Sequence, residues 1–211
     1  MANTTALTGI NGLRDIRRSP ASHLAEALET GSVPGKVVLK EGPFQTMAGV
    51  RVDPSSEEGA RIASVTGGLP VRCGEVAGRE GVSVLWLGPS EFLVVAPEEA
   101  HDSLGGDLIG SLTSALGDAP GQVVDLSANR TTYELSGPRA RAVLEKGCAL
   151  DLHPREFRAG TALSTEVGNI PVTLWKTGEE SFRLFPRASF ADFLGRWLLD
   201  AMREYASPEV P

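Results

Sequence analysis

Two stretches of this chain, roughly 36 to 116 and 121 to 205, pass through the same order of elements: strand, strand, helix, three strands, helix. In the first, apolar strands Val37–Glu41 and Thr46–Val52 are linked by Gly42-Pro43. Ser55 and Glu58 then stand at capping-box spacing before Ala60, Ile62, Ala63 and Val65, a helix stopped by Gly67-Gly68. Strands follow at 71–76, 82–87 and 91–96, and Leu104, Leu108, Leu112 and Leu116 mark a helix over 98–116. Gly105, Gly106 and Gly110 each cost that helix about 1 kcal/mol relative to alanine, so its start frays.

The second stretch opens with Val123, Val124 and Leu126, turns through Ser127–Arg130, and continues as a β-branched and aromatic strand over Thr131–Leu135. Ser136 and Pro138 begin a helix with Ala140, Val143 and Leu144 on one face and Gly147 at its end. Strands are expected at 161–167, 170–176 and 181–185, the first pair joined by the hairpin dipeptide Gly168-Asn169. A last helix places Phe190, Phe193, Leu194, Trp197, Leu198, Ala201 and Met202 on its apolar face. Local sequence repeats as well. Gly88–Pro97 and Gly178–Pro186 share a glycine turn, an aromatic four residues on, an apolar strand and a closing proline.

The pattern predicts an α+β fold of two pseudo-repeated mixed α/β lobes related by a pseudo-twofold, with a cleft between them as a natural ligand or partner site. The expected division is an N-terminal arm and short helix at 1–35, lobes at 36–120 and 121–205, and a tail at 206–211. The arm carries a basic patch of Arg14, Arg17 and Arg18, and Ala21, Leu24, Ala25 and Leu28 form a short helix ending at Gly31.

Charge narrows the choice of partner. The chain has a net charge of -7, which argues against nucleic acid, since phosphates are bound by neutralising them with Lys and Arg. The acidity is lopsided: residues 1–127 carry 16 acidic and 9 basic side chains, whereas 128–211 carry 11 of each, so an anionic partner belongs with the second half. Two cysteines, Cys73 and Cys148, make no disulfide framework, and neither a leader pattern nor a membrane-length apolar run is present, which points to a reducing cytoplasm. The sequons at Asn3 and Asn129 are then chance.

Motifs for dinucleotides, triphosphates, zinc proteases, C-x-x-C redox pairs and nucleophile elbows are missing. His23, His101 and His153 have no Cys or carboxylate at ligand spacing and read as surface or structural histidines. Cys148 has Lys146 only as a sequence neighbour, so a packed thiol is favoured over a nucleophile. Trp86, Trp175 and Trp197 read as core or interface. The polar residues worth following are Asp125, Ser127, Asn129 and Arg130, which face either the cleft or a neighbouring subunit. A simple turn between strands uses the same residue types. No catalytic, cofactor or metal ligand is assigned to this chain.

Five segments in order carry a family resemblance: Leu85–Pro97, Val124–Thr131, Leu135–Ala140, Gly147–Pro154, and Arg183–Phe185 continuing through Ser189–Asp192 to Trp197-Leu198. Together they resemble the gamma subunits of heterotetrameric sarcosine oxidase. The resemblance implies a fold like the folate-binding domain of glycine-cleavage aminomethyltransferase. It also implies a non-catalytic role beside alpha, beta and delta subunits, in a complex that oxidises sarcosine to glycine with oxygen and tetrahydrofolate. FAD, FMN, NAD, zinc and tetrahydrofolate would then sit on other subunits. The alternative is a stand-alone folate-binding protein of the same fold that uses the inter-lobe cleft. An iron-sulfur assembly factor is disfavoured, because Lys146-Gly147-Cys148 continues as Ala149-Leu150-Asp151. Residues 1–35 match nothing in the family pattern.

Overall fold

The computed structural model describes residues 16–206, so Arg14 and residues 207–211 lie outside the described part. Ten strands form two five-stranded sheets in which every pairing is antiparallel. The strands are β1 (Val38–Glu41), β2 (Thr46–Arg51), β3 (Val76–Arg79), β4 (Val82–Gly88), β5 (Glu91–Ala96), β6 (Gln122–Asp125), β7 (Tyr133–Ser136), β8 (Ala162–Val167), β9 (Ile170–Gly178) and β10 (Ser181–Pro186). Among the described residues five α-helices of defined extent complete the order: α1 (Ala25–Gly31), α2 (Glu57–Thr66), α3 (Leu108–Leu116), α4 (Ala140–Glu145) and α5 (Ala191–Ala206).

One sheet runs β3-β4-β5-β2-β6 and the other β8-β9-β10-β7-β1. In each sheet four strands come from one half of the chain and one outer strand, β6 or β1, comes from the other. Leu39 of β1 pairs with Leu135 of β7, and Val124 of β6 pairs with Gly49 of β2. Periodicity identified both strands but grouped each with its own half, because a period-2 pattern carries no record of the neighbour it pairs with. The exchange happens at two short crossovers. Residues 42–45 carry the chain from β1 to β2, and residues 126–132 carry it from β6 to β7.

The sheets pack face to face and the helices cover their outer faces. Met47, Leu85, Leu93 and Val95 meet Ala162 and Phe185 between the sheets. Because one strand must serve two layers, β5 is apolar from Phe92 to its end: Phe92, Val94 and Ala96 point to one core and Leu93 and Val95 to the other. Ile62 of α2 and Leu108, Leu112 and Leu116 of α3 close the first outer core. The second outer core is larger and takes in Leu28 of α1, Val143 and Leu144 of α4, and Leu194, Leu198 and Met202 of α5.

Several local expectations shift. The α2 N-cap is Ser56, not Ser55: its hydroxyl accepts from Gly59 N–H at 3.0 Å, while Ser55 hydrogen-bonds back to Asp53. Residues 71–75 form a turn rather than a strand, its Val71 and Arg72 amides held by the Glu75 carboxylate, and the strand begins at Val76. The helix expected over 98–116 breaks into two 3-10 turns and then α3, with Gly105 in the left-handed region between them. On α5, Phe193 is 52% exposed, whereas Gly195 is buried, since an added Cβ there would sit 2.5 Å from Tyr133 Oη. Ser136 does not cap α4 with its side chain. At the β8–β9 turn, Gly168 (φ 58) and Asn169 (φ 64) have the paired positive φ of a type I′ hairpin.

Candidate site at the strand crossovers

The two crossovers run side by side, and hydrogen bonds stitch them together. Leu126 N–H donates to the Met47 carbonyl at 2.8 Å, Met47 N–H to Ser127 Oγ at 3.0 Å, and Gly42 N–H to the Thr132 carbonyl at 2.9 Å. Glu41, at the end of β1, accepts from Ser19 Oγ, the Ala21 amide and Thr131 Oγ1, which ties the segment before α1 to both crossovers. A cavity of about 420 Å³ opens among these segments. Its wall combines Phe44 of the first crossover and Met47 of β2 with Asp125 at the end of β6 and Ser127, Arg130 and Thr132 of the second crossover. Arg17, Arg18, His101 and Ser103 complete the rim.

Three of the four polar residues singled out in the sequence, Asp125, Ser127 and Arg130, therefore share one cavity. Asn129 does not line it: the residue is exposed, and its backbone carbonyl accepts from Ala188 N–H at 2.8 Å.

His101 joins the site from the segment after β5. Its Nδ1 accepts from Ser103 N–H at 3.1 Å, which assigns the ring proton to Nε2, 2.9 Å from Asp125 Oδ2. Asp125 Oδ1 accepts from Ser127 N–H at 2.9 Å. Burial pushes the Asp125 carboxyl up, but hydrogen bonds from Ser127 and His101 outweigh it and leave its pKa below the usual value. The pair clasps the 3-10 segment of the first half to the end of β6, a link that local sequence spacing hid across 24 residues.

Arg17 is held on the rim by Glu98, 2.6 Å from its Nη1, and its guanidinium lies 4.3 Å over the Phe44 ring. Arg130 is placed differently. Its Nη1 donates to the Phe185 carbonyl at 2.8 Å, yet its buried Nε has no acceptor, and no carboxylate among the described residues lies within ion-pair distance. Burial, and then the neighbouring Arg187 charge, lower its pKa, and the Glu91 charge partly opposes them. Thr132 is 1% exposed and its hydroxyl also lacks a partner. Sequence reading missed Arg18, Phe44, His101 and Thr132 as a group, because only the strand exchange brings them together.

The other side chains weighed for chemistry stand apart from this cavity. His23 contacts Asp192 at 2.7 Å, and His153 Nδ1 accepts from the Arg155 amide. Lys146 reaches the Ala201 carbonyl and Glu204, away from Cys148, whose Sγ lies 3.8 Å from Thr165 Oγ1. Trp86 packs on the first outer core, Trp175 on the layer between the sheets, and Trp197 on the second outer core. Among the described residues, no group of three or more His, Cys, Asp or Glu could hold a metal ion, and no helix is long and apolar enough to cross a membrane.

Known proteins resemble the chain across nearly its whole length. Residues 50–204 match the model of the sarcosine oxidase, gamma subunit family. A protein named sarcosine oxidase subunit gamma from Arthrobacter sp. is 54% identical over 197 residues, covering 92% of this chain and 94% of its own. A namesake from Corynebacterium sp. (strain U-96) is 49% identical over 214 residues, covering 100% of both. Among solved structures, one chain of the heterotetrameric sarcosine oxidase from Corynebacterium sp. U-96 superposes with a TM-score of 0.87 at 50% identity, over 93% of this chain and 100% of that one. The glycine cleavage system aminomethyltransferase T from Bartonella henselae superposes with a TM-score of 0.63 at 17% identity, over 87% of this chain and 57% of that one, a likeness of fold.

Proposed function

The chain belongs to the sarcosine oxidase gamma subunit family, and from that premise we propose that it works as a non-catalytic subunit of a heterotetrameric sarcosine oxidase. One observation carries the reading: the likeness to a chain of such a heterotetramer spans all of that chain, with half of the residues identical. In this reading the partners are alpha, beta and delta subunits, and this chain packs against the large alpha subunit. The complex demethylates sarcosine to glycine with oxygen and tetrahydrofolate in the cytoplasm. FAD, FMN, NAD, zinc and tetrahydrofolate are held by the other subunits. The family match favours this over the stand-alone folate-binding protein.

The same reading treats 36–120 and 121–205 as two copies of one α+β unit that trade their first strands. The matching strand orders of the two sheets support it. The crossover residues Asp125, Ser127, Asn129 and Arg130 then lie where the copies meet.

Co-expression with the neighbouring subunits tests the assignment. A tagged full-length chain should bring down a flavin-containing complex that oxidises sarcosine, and the chain alone should show no sarcosine oxidation. A chain that purifies without partners from cells making all four subunits would sink the proposal.

A further inference from the structure

Beside the crossover cavity runs a second, larger groove of about 810 Å³, with α1 on one side and β1 on the other. Ala25 and Leu28 of α1, Val38 and Leu39 of β1, and then Pro43 and Phe44 line it. The chain reverses at the antiparallel Val33–Val37 bridge, so β1 returns beside α1 and the groove has two distinct ends. Glu29 and Pro34 stand at one end, and Arg18, Pro43 and Phe44 at the other. Along β1 the groove matches about four residues of extended chain, roughly 13 Å. An added strand would not fit this edge, because the Leu39 amide already donates to Ser32 Oγ at 3.0 Å and Val37 exchanges both backbone hydrogen bonds with Val33. An occupant is therefore held by its side chains.

The charges at the rim do not cancel. Arg17 is paired with Glu98, and Glu41 accepts from Ser19, Ala21 and Thr131. Arg18 and Lys40 are left exposed with no ion pair among the described residues, and Glu29 stands at the far end. An apolar trough that is open to solvent and cationic at one end fits an apolar chain segment that carries a carboxylate. Phe44 shapes that end. Its φ of 56 lies in the left-handed region, which glycine or asparagine enters at less cost, and strain of this kind persists where the side chain itself is needed. The half-buried ring has the Arg17 guanidinium over it at 4.3 Å and forms part of the groove wall.

We propose that this groove docks an extended segment of a neighbouring subunit, its apolar side chains resting on Ala25, Val38 and Phe44 and a carboxylate side chain reaching Arg18 and Lys40. The proposal rests on the reading of the chain as one subunit of a heterotetramer, and adds to it the face on which a partner sits. On a chain with a net charge of -7, a local cationic end gives an acidic segment both its place and its direction.

Thiol labelling of Ala25→Cys and co-purification from cells making all four subunits test the docking. Ala25 is exposed, so neither Ala25→Cys nor Ala25→Glu should disturb the fold. A maleimide should modify the introduced thiol rapidly in the chain alone and about tenfold or more slowly in the co-purified assembly, with peptide mapping to separate it from Cys73 and Cys148. Ala25→Glu, and the double variant Arg18→Glu with Lys40→Glu, should each lower the yield of co-purified partner about tenfold. Phe44→Gly removes the ring and relieves the left-handed backbone, so it should also lower that yield while the melting temperature of the chain alone stays within a few degrees of the parent. Equal labelling in the chain and the assembly, or unchanged yields from all of the variants, would overturn the proposal. So would slow labelling in the chain alone: if dilution speeds it, a second copy holds the groove, and if deletion of residues 1–15 speeds it, the chain's own N-terminal segment does. An unaltered chain that brings down no partner ends the subunit reading and this docking site with it. An unaltered chain that does bring one down, beside variants that do so equally, ends the docking site alone.

Discussion

The two sheets share a strand order but not a support. The β8-β9-β10-β7-β1 sheet is backed by three helices over a core of 23 buried residues, and the β3-β4-β5-β2-β6 sheet by two helices over a core of 12. Their borrowed outer strands differ in the same sense. β1 buries Leu39 against α1 and the larger core, while β6 is mostly exposed and leaves Val124 37% accessible. The helices behind them also diverge. α5 is a continuous 16 residues, whereas the first half ends in two 3-10 turns, Gly105-Gly106 and then the shorter α3. One topology can thus hold a rigid, deeply packed half and a lighter one, since strand order fixes neighbours and side-chain volume fixes stability.

The largest test of that contrast is a pair of truncations. Phe182→Ala in the larger core should cost about 3–5 kcal/mol in denaturant unfolding, and Leu112→Ala in the smaller core about 2–4 kcal/mol. Amide exchange should show β10 protected longer than β6 in the parent protein. Equal protection of the two strands would break the comparison. A smaller effect is expected at Tyr133, whose buried hydroxyl donates to the Ala191 carbonyl at 2.6 Å and joins β7 to the start of α5. Tyr133→Phe removes that hydrogen bond and should cost about 0.5–1.5 kcal/mol.

The smallest effect concerns pH, and it sharpens the contrast between the crossovers. Residues 42–45 contain no titratable side chain, whereas Asp125, the last residue of β6 before the second crossover, is hydrogen-bonded to His101 and Ser127. A carboxyl whose pKa is lower in the folded state adds stability that is complete above its unfolded value, about 4, and is lost as the pH falls through the folded value. Asp125→Asn should therefore flatten the acid limb of the stability curve below about pH 4. The side chain is 45% exposed, so the change should be a few tenths of a kcal/mol after solvent screening. A curve whose acid limb matches that of the parent would remove the clasp from the account.

Most strands and helices were legible because their signals are local. Gly168-Asn169 dictates a hairpin through its own backbone angles, and Leu108, Leu112 and Leu116 fall on one helical face wherever the helix packs. The misreadings share a cause. Val71 looks like a strand residue, but the Glu75 carboxylate captures its amide first. Phe193 fits the apolar spacing of α5, but the close approach of Tyr133 and Leu24 at Gly195 turns the helix so that Phe193 faces solvent. The site was half legible. Asp125, Ser127 and Arg130 stand together in a short polar turn, while Phe44, His101 and Arg17 reach them only because β1 and β6 change sheets. A long-range pairing leaves no trace in local composition.

The traded strands also bear on how the chain is made. A ribosome that has released only the first half has produced β1 without the sheet that receives it, and a first sheet whose outer strand is still to be synthesised. The first sheet cannot close until Gln122–Asp125 emerge, nor the second until Ser181–Pro186 do, so the late contacts are distant in sequence and slow to form. Fragments 1–120 and 121–211 should then each be incomplete when expressed apart and should restore each other when mixed, the chain behaving as a folded clasp whose halves are one another's template.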